Sequence, residues 1–411
     1  MQDAPSTPLP MTRLQRFGLL ACLIGVALNL RPSMAAVGPL LSAIRLEIPL
    51  GFGLASLLTM LPVMAMGLAM FFGLRLAGHL GLYRSISLSL WVIGLATVAR
   101  LFADSSLYLI VSAVLAGVGI AMVQALMPTL IKTRFKDHVS LCMGLYVTAI
   151  MGGAALSASL APSVLSLTGS WRVALAIWAV LAGVGLMLWT WQRRRLHDGS
   201  APVSTRGVSF ARVPRAWTLG VFFGLGTAAY TCVLAWLAPY YVEQGWSEQH
   251  AGLLLGYLTL MEVVSGLVVP ALANRSRDKR RVVAALLGLM LCGFAGLILA
   301  PQQASLVWAS LLGLGIGGLF PMSLIVSMDH VEDPQGAGAL TAFVQGIGYL
   351  IASLSPLLAG ILRDQLGSFS TAWWSLLVVV AVMLAMVVRF DPRTYARHLQ
   401  VKAEKAPVPA A

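Results

Sequence analysis

The chain has 411 residues, of which 58% are hydrophobic and only 10% charged, with a mean hydropathy of +0.85. Ordinary soluble domains carry roughly 25% charged residues, so this composition excludes a water-solvated core and points to a polytopic membrane protein. A formal net charge of +13 would suit a nucleic-acid binder, but its distribution follows a membrane rule instead, so no nucleic-acid partner is expected. The apolar runs are about 20 residues long and lack period-two alternation, which selects helices over the shorter strands of a barrel.

Residues 1–12 are polar, and the first apolar run exceeds the core of a signal peptide, about 7 to 15 residues. An uncleaved first span is therefore expected, preceded by Arg13 and Arg16. Twelve spans are predicted in chain order: 14–38, 51–74, 85–102, 107–131, 139–167, 170–192, 216–241, 251–273, 282–300, 304–328, 336–362 and 369–389. The longest connection, 193–215, is polar and basic. It divides the chain into an N-terminal six-helix bundle (14–192) and a C-terminal one (216–390), with the loop 193–215 and the tail 391–411 on the cytoplasmic side. The tail, rich in Ala, Pro and basic residues, is expected to lack a fold.

Within the first span, the run Leu28-Asn29-Leu30-Arg31-Pro32 places an arginine inside the bilayer, the single Lys or Arg assigned there. Such a charge disfavours insertion by roughly 2.5 to 3.5 kcal/mol, so it faces a cavity or a partner. Pro32 cannot donate to the Leu28 carbonyl and loosens the helix at the charge. A guanidinium fork beside a free carbonyl suits a small anion; pairing with Glu262 or snorkelling toward the headgroups are the alternatives. Farther along lie Gln124 in span four, Tyr230 and Thr231 in span seven, Glu262 at the centre of span eight, and Gln345 and Tyr349 on one face of span eleven. Each suits either substrate contact or a bond to a neighbouring helix. Glu262 suits a proton carrier, a partner of Arg31 or a residue facing a wet cavity.

Four cysteines, Cys22, Cys142, Cys232 and Cys292, stand alone in or beside apolar segments, which points to packing rather than to a disulfide or metal site. No phosphate loop, HExxH or nucleophile–base constellation appears, so neither a metal, nor a cofactor, nor an enzymatic activity is expected. With the N-terminus cytoplasmic, 23 of the 28 Lys and Arg fall on the inner side, while Arg45, Arg100, Arg172 and Arg363 fall in outer loops. This is the positive-inside pattern, and attraction to anionic lipid accompanies it. Asp329, Glu332 and Asp333 form an acidic inner loop that suits either pairing with the cytoplasmic Arg and Lys when the inner side closes or a solvated loop.

The two halves resemble each other. Pro39 and Pro239, Thr59 and Thr259, and Arg75 and Arg275 are 200 positions apart, Gly117-Val118-Gly119-Ile120 recurs as Gly313-Leu314-Gly315-Ile316, and Pro162 recurs as Pro356. A parallel internal repeat around a midplane site follows. Glycines cluster in spans four, five, ten and eleven, where they suit close helix contact, static or rocking.

The loops Gly73 to Arg84 and Ala271 to Arg281 resemble the G-x-L-a-D-R-x-G-R-R loop of the major facilitator superfamily, with Asn274 where the aspartate stands. Leu28 to Pro32 with Val37 to Leu41, Gln124 to Pro128 with Ile131-Lys132, Pro214 to Val221 and Gln345 to Tyr349 are similar to its cyanate permease and 2-nitroimidazole transporter branch. The resemblance implies an all-α fold of two pseudo-symmetric six-helix bundles, monomeric in a bacterial-type inner membrane with both termini cytoplasmic. It further implies secondary transport by alternating access, with the substrate held between the halves. The substrate expected from the residues is a small cyanate-like anion, bound by Arg31 with Gln124, Tyr230, Thr231, Gln345 and Tyr349 as candidate contacts. Arg75, Arg84, Arg275, Lys279 and Asp329 are the expected cytoplasmic gate. Proton-coupled efflux of small heterocycles, with Glu262 as carrier, and a channel or sensor remain the alternatives.

Overall fold

The computed structural model describes residues 13–48, 52–135, 138–192, 210–273, 276 and 278–395, and every regular element among them is helical. Eleven helices are long and apolar enough to cross a membrane, and the apolar stretch Leu57–Phe72 supplies the twelfth span. The first half comprises α1 (Arg13–Leu28), α2 (Pro32–Ala35), α3 (Val37–Glu47), α4 (Phe52–Leu80), α5 (Leu82–Ala99), α6 (Ser106–Arg134), α7 (Val139–Thr168), α8 (Trp171–Ala176) and α9 (Ala179–Trp191). The second comprises α10 (Pro214–Glu243), α11 (Glu248–Ala273), α12 (Arg280–Leu299), α13 (Ser305–Asp329), α14 (Pro334–Leu366) and α15 (Ser370–Val387). Only residues 210–215 of the central loop and 391–395 of the tail are described, so the expectations for the remainder of both lie outside the described residues.

Neighbour relations repeat between the halves. In the first, α4 packs on α6, α5 on α6 and α9, and α1 on α7; in the second, α11 packs on α13, α12 on α13 and α15, and α10 on α14. Contacts between the halves exchange the same roles: α4 lies against α14, and α7 against α11. Gly169 and Gly367 end α7 and α14 with φ of +66° and +71°, a left-handed cap that a residue with a Cβ adopts only under strain.

The repeated Gly-x-Gly pair does the same work twice. A Cβ on Gly117 would lie 2.7 Å from the Pro62 carbonyl oxygen and one on Gly313 2.5 Å from that of Leu258; on Gly119 and Gly315 it would meet the Ser89 and Leu286 oxygens at 2.9 and 2.8 Å. These glycines bring α6 and α13 onto their own bundle partners, which is static packing. The seam between bundles uses others: a Cβ on Gly67 would touch the Gly346 oxygen at 2.9 Å, and one on Gly144 the Pro270 side chain at 2.9 Å.

Three expectations change. The first span, Arg16–Leu41, matches the predicted 14–38 to within three residues at each end, but the helix runs on as α3 to Glu47, because Pro32 breaks it without ending it. Arg100, expected in an outer loop, closes α5 and is 1% exposed. Cys22, Cys142 and Cys232 are buried, whereas Cys292 is exposed.

Candidate functional site

The site is built on the break in the first span. At the end of α1, the Asn29 and Leu30 amides bond back three residues, to the Val26 and Ala27 carbonyls, at 3.2 and 3.0 Å. Pro32, at the first position of α2, has no amide to offer Leu28. Arg31 caps the new helix at φ −120°, and its carbonyl takes the Met34 and Ala35 amides, both at 3.0 Å. Gly153 of α7 lies directly against the Leu28 carbonyl, so the loosened turn is held from behind. The chain therefore leaves the helical path for three residues, with the arginine at its corner.

Arg31 is 6% exposed. Its guanidinium carbon stands 5.9 Å from the centre of the Tyr349 ring, and the Tyr349 hydroxyl donates to Gln124 Oε1 at 3.1 Å. Arg31 and Gln124 come from the first bundle and Tyr349 from the second, so this chain of contacts crosses the molecular seam. Tyr349 is fully buried, and Phe223 meets its ring edge-on at 5.6 Å. Tyr230 lies within electrostatic reach of Arg31, Tyr349 and Glu262, and Tyr146 within reach of Arg31 and Tyr349. Gln345, one helical turn before Tyr349, is also buried.

Several of these groups lack partners. Among the described buried atoms without a hydrogen bond are Asn29 Nδ2, Arg31 Nε and Nη2, the Tyr146 hydroxyl, Gln345 Nε2 and both Glu262 carboxylate oxygens. The expected pairing of Arg31 with Glu262 is thus not made. Glu262 is 1% exposed and its backbone is pressed against Gly317 of α13. Snorkelling is also absent, since Arg31 is buried at the seam. Thr231 differs from its neighbours: its hydroxyl donates to the Ala228 and Ala352 carbonyls at 3.1 and 3.3 Å, tying α10 to α14. A small hollow lined by Phe222, Phe223, Thr227 and Phe320 reaches this group of residues at Tyr230.

The expected gate is only partly assembled. Lys279 pairs with Asp329 at 2.5 Å, but both belong to the second bundle, so the pair does not bridge the seam. Arg84 is exposed. The Arg75 side chain and Arg275 lie outside the described residues. A cation that does bridge the seam is Lys132, at the end of α6, whose ammonium donates to the Met328 carbonyl at 2.9 Å and to that of Val331. Asp329, Glu332 and Asp333 add their attraction to it. At the opposite end, each bundle staples its own first span: Glu47 to Arg172 at 2.5 Å and Glu243 to Arg363 at 2.7 Å. The hydrogen bond from Arg172 holds the Glu47 carboxyl below the usual carboxylate range.

Sequence reasoning missed Tyr146, Lys132 and Arg100. Tyr146 sits in a long apolar run, where a lone tyrosine is an unremarkable core residue. Lys132 reads as ordinary positive-inside charge, and its carbonyl partners leave no trace in side-chain identity.

Residues 20–353 match the Major Facilitator Superfamily. The chain is 40% identical to the cyanate transport protein CynX of Escherichia coli (strain K12), over 91% of this chain and 97% of that one. It is 30% identical to the 2-nitroimidazole transporter of the same organism, over 90% of this chain and 94% of that one. Its fold is similar to that of the transporter FucP in the outward conformation, with a TM-score of 0.71 at 14% identity, covering 91% of this chain and 98% of that one.

Proposed function

This chain belongs to the major facilitator superfamily and is a multi-pass membrane transporter, and we propose that it moves a small cyanate-like anion, bound at the seam by Arg31 with Gln124, Tyr230, Gln345 and Tyr349 around it. The reading rests on one observation above the rest: Arg31 Nε and Nη2, Asn29 Nδ2, Tyr146 OH and Gln345 Nε2 are buried N–H and O–H groups without acceptors. A buried polar group left unmade costs about 1–3 kcal/mol. A compact anion supplies acceptors to such a set and a counter-charge to the guanidinium, which a neutral apolar solute does not. Its passage would be driven by an ion or substrate gradient, in a monomer whose termini face the cytoplasm of a bacterial-type inner membrane.

The 40% identity to a cyanate transport protein supports the substrate class. Proteoliposomes reconstituted with the purified protein should take up cyanate saturably, and excess 2-nitroimidazole should compete poorly. Arg31→Ala should abolish saturable uptake. Arg31→Lys should raise KM about tenfold or more, because an ammonium lacks the planar fork. Unchanged saturation in Arg31→Ala would remove the guanidinium from the site.

A further inference from the structure

Besides Arg31, the first bundle buries a second arginine, Arg100. Arg100 closes α5, is 1% exposed, and has no carboxylate among its described partners. Its Nε donates to the Ser112 hydroxyl of α6 at 3.3 Å, and its Nη1 donates to the carbonyl of Ser33. Ser112 is oriented for this, since its own hydroxyl donates to the Leu109 carbonyl at 2.8 Å and leaves its lone pairs to Arg100. Arg100 Nη2 and the Ser33 hydroxyl are buried and unbonded.

Ser33 is two residues from Arg31, inside the four-residue helix that Arg31 caps. A helix of this length cannot hold its own direction, because its few internal bonds do not offset the cost of nucleation. Its orientation must come from outside. Arg100 reaches it at one point, and the Glu47–Arg172 pair fixes the far end of α3 to the start of α8. Arg172 is itself anchored, donating from Nε to the Ala103 carbonyl at 2.7 Å, three residues beyond Arg100. The segment from Arg31 to Glu47 is therefore pinned at both ends to the same corner of the bundle. A buried guanidinium held only by a backbone carbonyl and a hydroxyl, with Nη2 left unbonded, is an expensive means of mere packing, and an apolar side chain would fill the corner without that cost.

We propose that Arg100 is a positioning residue for the anion site: by holding the Ser33 carbonyl, it sets the direction in which Arg31 leaves the helix break toward Tyr349. This rests on the transport reading given above. Arg100 itself touches no substrate. Losing it lets the α2 turn reorient, so that part of the population presents Arg31 wrongly and the apparent affinity falls by the fraction that remains competent.

The test separates the two ideas. Cyanate uptake in proteoliposomes is measured for the wild type, Arg100→Gln, Arg100→Lys and Ser112→Ala, and amide hydrogen exchange is followed in the same preparations over residues 29–36. Arg100→Gln should raise KM about tenfold with maximal rate within about twofold, and should speed exchange of the Met34, Ala35 and Ala36 amides but not of α1. Arg100→Lys, which still carries one donor to the Ser33 carbonyl, should recover most of the affinity. Ser112→Ala, mild enough to fold, should move KM the same way by a smaller factor. A fall in maximal rate at constant KM, or unchanged exchange over residues 29–36 in both Arg100→Gln and Ser112→Ala, overturns the positioning role. Should the wild type show no saturable anion uptake, the transport reading fails, and the exchange measurement alone decides whether Arg100 governs the break.

Discussion

Glu262 poses the sharpest question at the level of single residues. It is buried on α11, both carboxylate oxygens lack partners, and Arg31 does not reach it. A carboxyl kept in such surroundings without a bonded cation is destabilising, so its presence points to a task that an amide cannot perform. If that task is proton carriage, Glu262→Gln should leave the fold intact, because no hydrogen bond is lost, while making uptake insensitive to a pH gradient imposed across proteoliposomes. Uptake that still follows the gradient in Glu262→Gln would place the coupling elsewhere. Arg31, Gln124, Glu262 and Tyr349 were legible in the sequence because a polar residue in a 20-residue apolar run stands out against it. What was not legible is who meets whom. The Tyr349–Gln124 bond at 3.1 Å joins residues 225 positions apart, and no local pattern encodes that pairing. Arg100 was misplaced for a related reason: it ends an apolar run, where hydropathy cannot distinguish a solvated loop from a buried corner.

At the Gly-x-Gly repeat, helices meet backbone to backbone. The Gly-x-Gly repeat was visible in sequence, and its spacing set the register between halves; whether it served static packing or rocking was not, because that depends on what lies opposite. The answer is carbonyl oxygens of the same bundle, at 2.7 Å for a Cβ on Gly117 and 2.5 Å for one on Gly313. A backbone carbonyl within a helix cannot swing aside as a side-chain tip does, so the partner helix must shift. Gly313→Ala should therefore lower thermal stability in detergent by about 1–3 kcal/mol, with Gly117→Ala close behind. Gly252→Ala is the matched control, since nothing stands within 4 Å of its added Cβ. It should be neutral or stabilise by about 0.5–1 kcal/mol, the helical advantage of alanine over glycine. Equal melting shifts at Gly313 and Gly252 would show that the close approach carries no energy. The break after α1 follows the same logic in reverse: Pro32 announced it in sequence, but its extent, with α2 and α3 continuing to Glu47, depends on the carbonyl and carboxylate contacts that catch the chain afterwards.

For the whole molecule, the polar contacts at the two ends differ in kind. At the end carrying the basic loops, Lys132 of the first bundle donates to two carbonyls where α13 of the second runs out. The C-terminal end of a helix carries the negative end of its dipole, so a cation there is favoured by about 0.3–1 kcal/mol, more when partly buried. Asp329, Glu332 and Asp333 deepen the attraction. At the opposite end, the pairs Glu47–Arg172 and Glu243–Arg363 stay within their own bundles, where they stiffen each half without tying one to the other. An alternating-access cycle requires the seam to open at one end while it closes at the other, and a cation held by backbone carbonyls is a bond that can be broken without leaving a carboxylate stranded. Lys132→Met keeps the side-chain length and removes the charge. A shift of about 1 kcal/mol changes the ratio of two conformers roughly fivefold, so this variant should populate the form open at the basic-loop end several times more than the wild type. Labelling a cysteine introduced at Thr129, which Gly338 of the other bundle covers, by a small charged maleimide should speed correspondingly in Lys132→Met. Melting temperature should barely move, because each bundle retains its own packing. A labelling rate unchanged by Lys132→Met would mean that the glycine seam at Gly67 and Gly144, rather than this ammonium, holds that end shut.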